Sequence, residues 1–229
     1  MIEDIAFDWM PSIIENFVIL YFMSYYLGFK DHIALRYRKS SIWLFTVLLC
    51  LSSYMSTKFP TVEILFIVVA ILTCICFGFI FLRGSLINTV FTSLIPFVFI
   101  AVINSVSIYT LSTITSSTMN TLIIERNTTR VLLLVITKGG FILAMALIAR
   151  LNPKSDFIFK KNEVISIISI FVSSLLVSVF IFDKQIKVGA METEGSKTYF
   201  IMAVLGLVII NVLTFMSYLK IEKDNREKI

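Results

Sequence analysis

The sequence predicts an all-α integral membrane protein, a bundle of about seven transmembrane helices with its N-terminus outside and its C-terminus in the cytoplasm. Of the 229 residues, 58% are hydrophobic and only 15% are charged, and the mean hydropathy is +0.92. A soluble globular domain is far more polar. The apolar runs, of roughly 15 to 23 residues, are long enough for membrane helices rather than for the strands of a barrel.

The seven predicted helices follow from the apolar runs between charged stops. The second, residues 41–55, is the shortest and would span only about 22 Å at 1.5 Å per residue, so it must thin the bilayer or extend into its flanks. Pro96 predicts a kink in the fourth helix, and Gly139-Gly140 permits a bend or a close helix approach in the fifth. The other six helices cover residues 11–28, 64–82, 86–108, 131–149, 164–182 and 199–218.

The basic residues predict the orientation of the bundle. Thirteen of the twenty Lys and Arg residues fall on one side, in residues 30–39, Arg83, residues 150–161 and the tail, and six fall on the other side. The positive-inside rule places the richer side in the cytoplasm and the acidic N-terminus outside. The net charge of +5 is thereby explained by orientation, and we expect no binding of nucleic acid. The outer connections are then residues 56–63, 111–130 and 183–197.

Two ionisable residues lie inside predicted helices, where a charge costs roughly 2.5 to 3.5 kcal/mol on insertion scales. Lys138 lies about 10 Å below the outer end of the fifth helix. It is interpreted either as a structural lysine that pairs or extends towards the interface, or as a residue that faces a ligand. Glu15 lies at a similar depth in the first helix. A Glu15–Lys138 ion pair would place a polar node beneath the outer mouth of the bundle.

The other polar residues of the apolar runs have structural interpretations. Interhelical hydrogen bonds account for the asparagines, packing accounts for the cysteines, and His32 is a loop residue. No phosphate loop, metal cluster, pair of buried acids or nucleophile elbow is present in the sequence. We therefore expect no cofactor, and these residues provide no catalytic core. The asparagines are Asn88, Asn104 and Asn211, and the cysteines are Cys50, Cys74 and Cys76.

Residues 216–229 leave the seventh predicted helix without a Gly or Pro stop. Charges of alternating sign give helical pairs such as Glu222 with Arg226. This pattern predicts a helix that continues into the cytoplasm, and a short polar tail is the alternative. The sequence thus divides into a transmembrane domain, residues 1–218, and the start of a truncated cytoplasmic linker, residues 219–229.

Three segments resemble the membrane sensor region of the Agr-type, GHKL-class receptor histidine kinases, which detect peptide pheromones in Gram-positive bacteria. Residues 14–30 carry a Glu near the outer end and a basic exit. Residues 130–150 form a basic-flanked helix with an embedded lysine. Residues 218–229 resemble the linker that leads to the dimerisation helix. The phosphoacceptor helix, the Asn-box and the ATP lid of the family are absent, so the resemblance implies the sensor portion alone.

The resemblance implies a homodimer in the bacterial plasma membrane, whose outer loops and bundle mouth bind an extracellular and often cyclic peptide. A shift of the seventh helix would carry the signal to a cytoplasmic kinase and its response regulator. Membrane lipid surrounds the bundle. The candidate ligand-binding residues are Glu15, Asn104, Tyr109, Arg126 and Lys138. The candidate signal-transmission residues are Tyr218, Lys220, Glu222 and Arg226.

Two other classes compete with the sensor interpretation. A small transport component, such as the substrate-binding subunit of an uptake transporter, is similarly compact and needs only one external pocket. Such subunits more often have six spans and end at the membrane. An intramembrane protease needs paired acids midway through the bilayer, and the sequence has none. Uptake of a bound solute would favour transport, whereas a response to peptide without uptake would favour sensing.

Overall fold

A computed structural model describes residues 2–59, 63–115, 122 and 128–151, together with residues 170, 173, 174, 203, 206, 209–211 and 214. The described residues are helical, without a strand, apart from short connections and one antiparallel bridge between Phe29 and Leu82. The predicted all-α class is therefore confirmed. The helices with described bounds are α1 (Ile2–Leu27), α2 (Leu35–Lys58), α3 (Glu63–Phe81), α4 (Leu86–Thr115) and α5 (Thr128–Leu151).

Four of the five helices, all except α3, are longer than the apolar runs that predicted them. The second helix extends into its flanks, one of the two alternatives stated for its short apolar run: α2 has 24 residues and spans about 36 Å at 1.5 Å per residue. Helix α1 begins nine residues before its predicted start, and α4 continues to Thr115. Hydropathy falls where charged and hydroxyl residues begin, but the backbone hydrogen bonds of a helix continue through such residues. The connections 56–63 and 111–130, which the charge pattern predicts to be outside, are therefore partly helical.

Within the described residues, three helices are long and apolar enough to cross a membrane: Leu35–Lys58, Asn88–Thr115 and Thr128–Arg150. The apolar part of α3, Leu65–Phe81, is shorter. These helices support a membrane protein. The sixth and seventh predicted helices, residues 164–182 and 199–218, lie outside the described residues except for single helical positions.

The chain divides into two compact units. The first contains residues Met1–Pro96 and Phe141–Asp156, and in it α2 packs against both α1 and α3. Aromatic side chains fill this bundle near one end, where the rings of Phe45 and Phe77 lie 5.2 Å apart. Further residues of the core, all almost fully buried, are Ile19, Leu20, Met23, Leu49 and Leu82.

The second unit contains residues Phe97–Gly140 and Phe157–Ile229. Its buried residues include Ile108 and Leu111 of α4 and Leu133 of α5. Asn211 donates a hydrogen bond from Nδ2 to Oγ of Ser174, at 2.5 Å, between two helical positions 37 residues apart. The hydrogen bond predicted for Asn211 is confirmed.

Candidate functional site

The first connection, residues 28–34, is bonded to the third connection, residues 82–85. The amide of Lys30 donates to the carbonyl of Phe81 at 3.0 Å, and the amide of Arg83 donates to the carbonyl of Gly28 at 2.9 Å. Both segments of this pairing need a sharp turn, which Gly28 and Gly84 make with φ values of 74° and 124°. We call residues 28–34 and 82–85 together the end clasp.

The side chain of Lys30 caps α3 from the neighbouring connection. Its Nζ donates to the carbonyl of Phe79 at 2.6 Å and to that of Ile80 at 3.2 Å. The last carbonyls of a helix lack intrahelical donors, and a cation there also opposes the negative end of the helix dipole. The ammonium lies 5.6 Å from the ring centroid of Phe79 as well. Charge counting treated Lys30 as an orientation signal and missed this capping role.

Two further basic residues stabilise the end clasp. Arg38 donates from Nε to the carbonyl of Ile33 at 2.9 Å, and its guanidinium lies 5.5 Å from the ring of Phe29. Arg83 forms an exposed ion pair with Asp31. The first and third connections, two of those that the charge pattern assigned to one side of the membrane, are therefore located at the same end of the bundle.

Polar side chains also join the helices inside the first unit. Asn16 on α1 donates from Nδ2 to Sγ of Cys50 on α2 at 3.4 Å, and Ser52 on α2 donates to the carbonyl of Phe66 on α3 at 3.0 Å. Asn16 was missed at the sequence level, although its position beside Glu15 in an apolar run was an available signal. Cys50 and Cys74 are buried, as packing residues should be, whereas Cys76 is exposed.

Lys138 lies in the second unit, two residues before a point at which α5 contacts α4. A methyl group placed on Gly140 would lie 3.4 Å from Cγ2 of Ile103. Asn104 follows Ile103 directly, and Lys138 is about 3 Å from Gly140 along the axis of α5. Because α5 begins at Thr128, three residues before the predicted start, Lys138 lies about 15 Å from that end of the helix rather than about 10 Å.

The remaining candidate residues fall into two groups. Glu15 is half-buried on α1 and belongs to the first unit, whereas Asn104, Tyr109 and Lys138 are half-buried in the second. The Glu15–Lys138 ion pair therefore stays a prediction. The other candidates, Arg126, Tyr218, Lys220, Glu222 and Arg226, lie outside the described residues.

Among the described residues, no group of three or more His, Cys, Asp or Glu side chains is arranged to hold a metal ion. Comparison with models of protein families, with curated proteins and with solved structures gives no match. The chemistry of this part of the chain consists of hydrogen bonds between helices, a capped bundle end, and a lysine within a long apolar helix.

Proposed function

We propose that the chain is the membrane sensor domain of an Agr-type histidine kinase that detects an extracellular, auto-inducing peptide. The position of Lys138 carries the proposal. It lies in an apolar helix long enough to cross a membrane, two residues before Gly140, which lies near Ile103 of the helix that bears Asn104. An ionisable residue within an apolar helix is costly in lipid and is a functional-site candidate by default, here for a peptide carboxylate or carbonyl.

The proposed bundle has seven spans in the bacterial plasma membrane, with the N-terminus outside and the C-terminus in the cytoplasm. The end clasp supports this orientation, because it joins Lys30 and Arg83, two members of the basic-rich side, at one end of the bundle. The positive-inside rule assigns that end to the cytoplasm. Peptide would then enter from the opposite side and meet Glu15, Asn104, Tyr109, Arg126 and Lys138.

The signal would reach the kinase through the seventh predicted helix. Such signalling requires two distinct arrangements of the helices. A peptide that binds one arrangement more tightly increases the population of that arrangement. The segment that would carry the signal contains Tyr218, Lys220, Glu222 and Arg226. A change in its rotation or register would pass to a kinase region of the homodimer and then to a response regulator. The charged residues of this segment favour a helix that continues in water.

A reporter fusion tests the proposal. The chain would be joined to the cytoplasmic core of a membrane histidine kinase, expressed in a heterologous bacterium, and exposed to the peptide fraction of spent medium from the source species. We expect a several-fold change in reporter output that is lost in Lys138→Met. Arg150→Gln, at the other end of the same helix, is the matched control and should retain the response.

Two results would contradict the sensor proposal. One is a fusion that inserts into the membrane, as shown by its amount in the membrane fraction, but gives no response to peptide. The other is uptake of a small solute by cells that express the chain, which would favour the transport subunit. An antibody against residues 111–130 adds an independent test in the source species: a band well above 26.1 kDa is expected if a kinase follows.

A further inference from the structure

One face of α2 carries exposed side chains in a distinct order. Cations come first, an indole follows one turn later, and aliphatic side chains occupy the next two turns. Residues three, four and seven positions apart lie on the same side of a helix, so these side chains form a continuous band. We call this band the α2 stripe, and its members are Arg36, Lys39, Trp43, Leu44, Val47, Leu48 and Leu51, all exposed.

The spacing of the α2 stripe matches one leaflet of a bilayer. Lys39 and Trp43 are separated by about 6 Å along the axis, and Lys39 and Leu51 by about 18 Å, at 1.5 Å per residue. Half of a hydrocarbon core is about 15 Å thick. A leaflet requires this order: cations at the headgroups, an indole at the interface, and aliphatic groups along the acyl chains. The exposed fractions of Trp43 and Val47, 56% and 63%, leave both accessible to lipid.

The charges of the stripe are available to an anion. The first turn of α2 contains no acidic residue, and its N-cap, Ala34, offers no side-chain hydrogen bond. The nearby carboxylate of Asp31 is paired with Arg83. Arg38 turns away from the stripe, because it bonds to the carbonyl of Ile33 in the end clasp. Arg36 and Lys39 thus present positive charge at the surface, one helical turn apart.

We propose that the α2 stripe is a docking surface for anionic phospholipid, with the headgroup phosphate on Arg36 and Lys39 and the acyl chains along Trp43 and Val47. A lipid fits better than a soluble phosphate, because the cations continue directly into an apolar band on a helix long enough to cross a membrane. Lipid docking goes beyond peptide sensing and does not depend on it.

Trp43 provides a direct test, because the sequence contains only two tryptophans. In Trp9→Phe, the fluorescence of Trp43 reports the lipids that contact the stripe. The protein would be reconstituted in vesicles of phosphatidylcholine containing either brominated phosphatidylglycerol or brominated phosphatidylcholine at equal mole fraction. Stronger quenching by the anionic lipid is expected. The preference should fall roughly tenfold or more in Arg36→Gln/Lys39→Gln, since this variant removes two cations that attract an anionic surface.

Lys58→Gln is the matched control, because Lys58 is an exposed cation at the opposite end of the same helix. It should leave the preference at Trp43 unchanged, as should the charge-conserving variant Arg36→Lys/Lys39→Arg. A second measurement needs no variant at these positions. In Trp9→Phe alone, the preference should weaken steeply as salt rises from about 0.05 to about 0.5 M, because salt screens exposed charges within about 10 Å at 0.1 M.

Three results would overturn lipid docking. Equal quenching by the two brominated lipids would show that the α2 stripe does not prefer anionic lipid. If the preference for anionic lipid persists in Arg36→Gln/Lys39→Gln, or does not respond to salt, groups other than these two cations cause it. A preference abolished by inorganic phosphate at constant ionic strength would show a soluble-phosphate site in place of a lipid surface.

Discussion

The end clasp and the α4–α5 approach hold helices together in different ways. In the end clasp, backbone hydrogen bonds and the capping side chain of Lys30 join two connections. At the α4–α5 approach, Gly140 allows Ile103 to pack closely, and the contact is one of van der Waals packing. Hydrogen bonds fix the distance and direction of their partners, whereas packing depends on the shape of both surfaces. Polar groups therefore specify the contact at the end clasp, whereas side-chain size specifies the contact between Gly140 and Ile103.

The largest loss of unfolding free energy is expected at Gly78, where the interior of α3 has no space for a larger side chain. Gly78→Ala would place a methyl group against the side chain of buried Thr89 and 3.4 Å from Cε of Met23. Overpacking of this kind costs about 1 to 3 kcal/mol. Comparison of the unfolding free energies of the variant and the unmodified protein in detergent micelles measures this cost. Gly139→Ala is the control, because no atom lies within 4 Å of the added group. Equal stability of the two variants would contradict tight packing at Gly78.

The next largest loss of stability is expected from changes to the backbone of the end clasp. Gly84 has φ of 124°, a region that residues with a side chain rarely adopt, so Gly84→Ala should cost about 1 to 3 kcal/mol. Gly28→Asn, at φ of 74°, should be tolerated better, because Asn enters the left-handed region more readily. Chemical denaturation of the purified protein compares the two. Greater loss of stability in Gly28→Asn would contradict the assigned backbone geometry.

A smaller effect is expected from the cap of α3. Lys30→Met keeps the aliphatic stem but removes both hydrogen bonds to the carbonyls of Phe79 and Ile80. Because the site is exposed to solvent, the loss should be about 1 kcal/mol. Hydrogen exchange of the last turn of α3 provides a local measurement, with faster exchange expected in Lys30→Met than in Lys30→Arg. Unchanged exchange would show that water replaces the cap without loss.

The ion pair of the clasp should contribute least. Asp31 and Arg83 are 86% and 51% exposed, and exposed pairs contribute roughly 0.2 to 1 kcal/mol. A double-mutant cycle of Asp31→Asn and Arg83→Gln should therefore give a small coupling energy that disappears at high salt. Coupling above about 2 kcal/mol would place this pair among the main stabilising contacts, level with the packing at Gly78.

The sequence predicted the class of the fold better than its boundaries. Apolar runs located α2 to α5, because lipid-compatible composition is visible in a single segment. The ends of α2 were wrong, because charges at Arg36 and Lys39 lower hydropathy without breaking helical hydrogen bonds. Charge counting also grouped Lys30 and Arg83 correctly, since both connections meet at one end.

The candidate site was less accessible to sequence reasoning. A lysine in an apolar run is conspicuous, so Lys138 was found, but its depth depended on where α5 begins. The bond between Asn16 and Cys50 and the capping of α3 by Lys30 each involve residues distant in the sequence. No periodic pattern in one segment identifies its partner in another. Contacts of this kind need the packed structure.

The claim that α2 crosses the membrane with the end clasp in the cytoplasm is tested most directly by cysteine labelling. Single cysteines would be introduced by His32→Cys and Thr57→Cys, at exposed positions near opposite ends of α2, after replacement of Cys50, Cys74 and Cys76 by Ala. An impermeant maleimide should label Thr57→Cys in intact cells and His32→Cys only after permeabilisation. Labelling of both from one side, or in the reverse order, would contradict the proposed orientation.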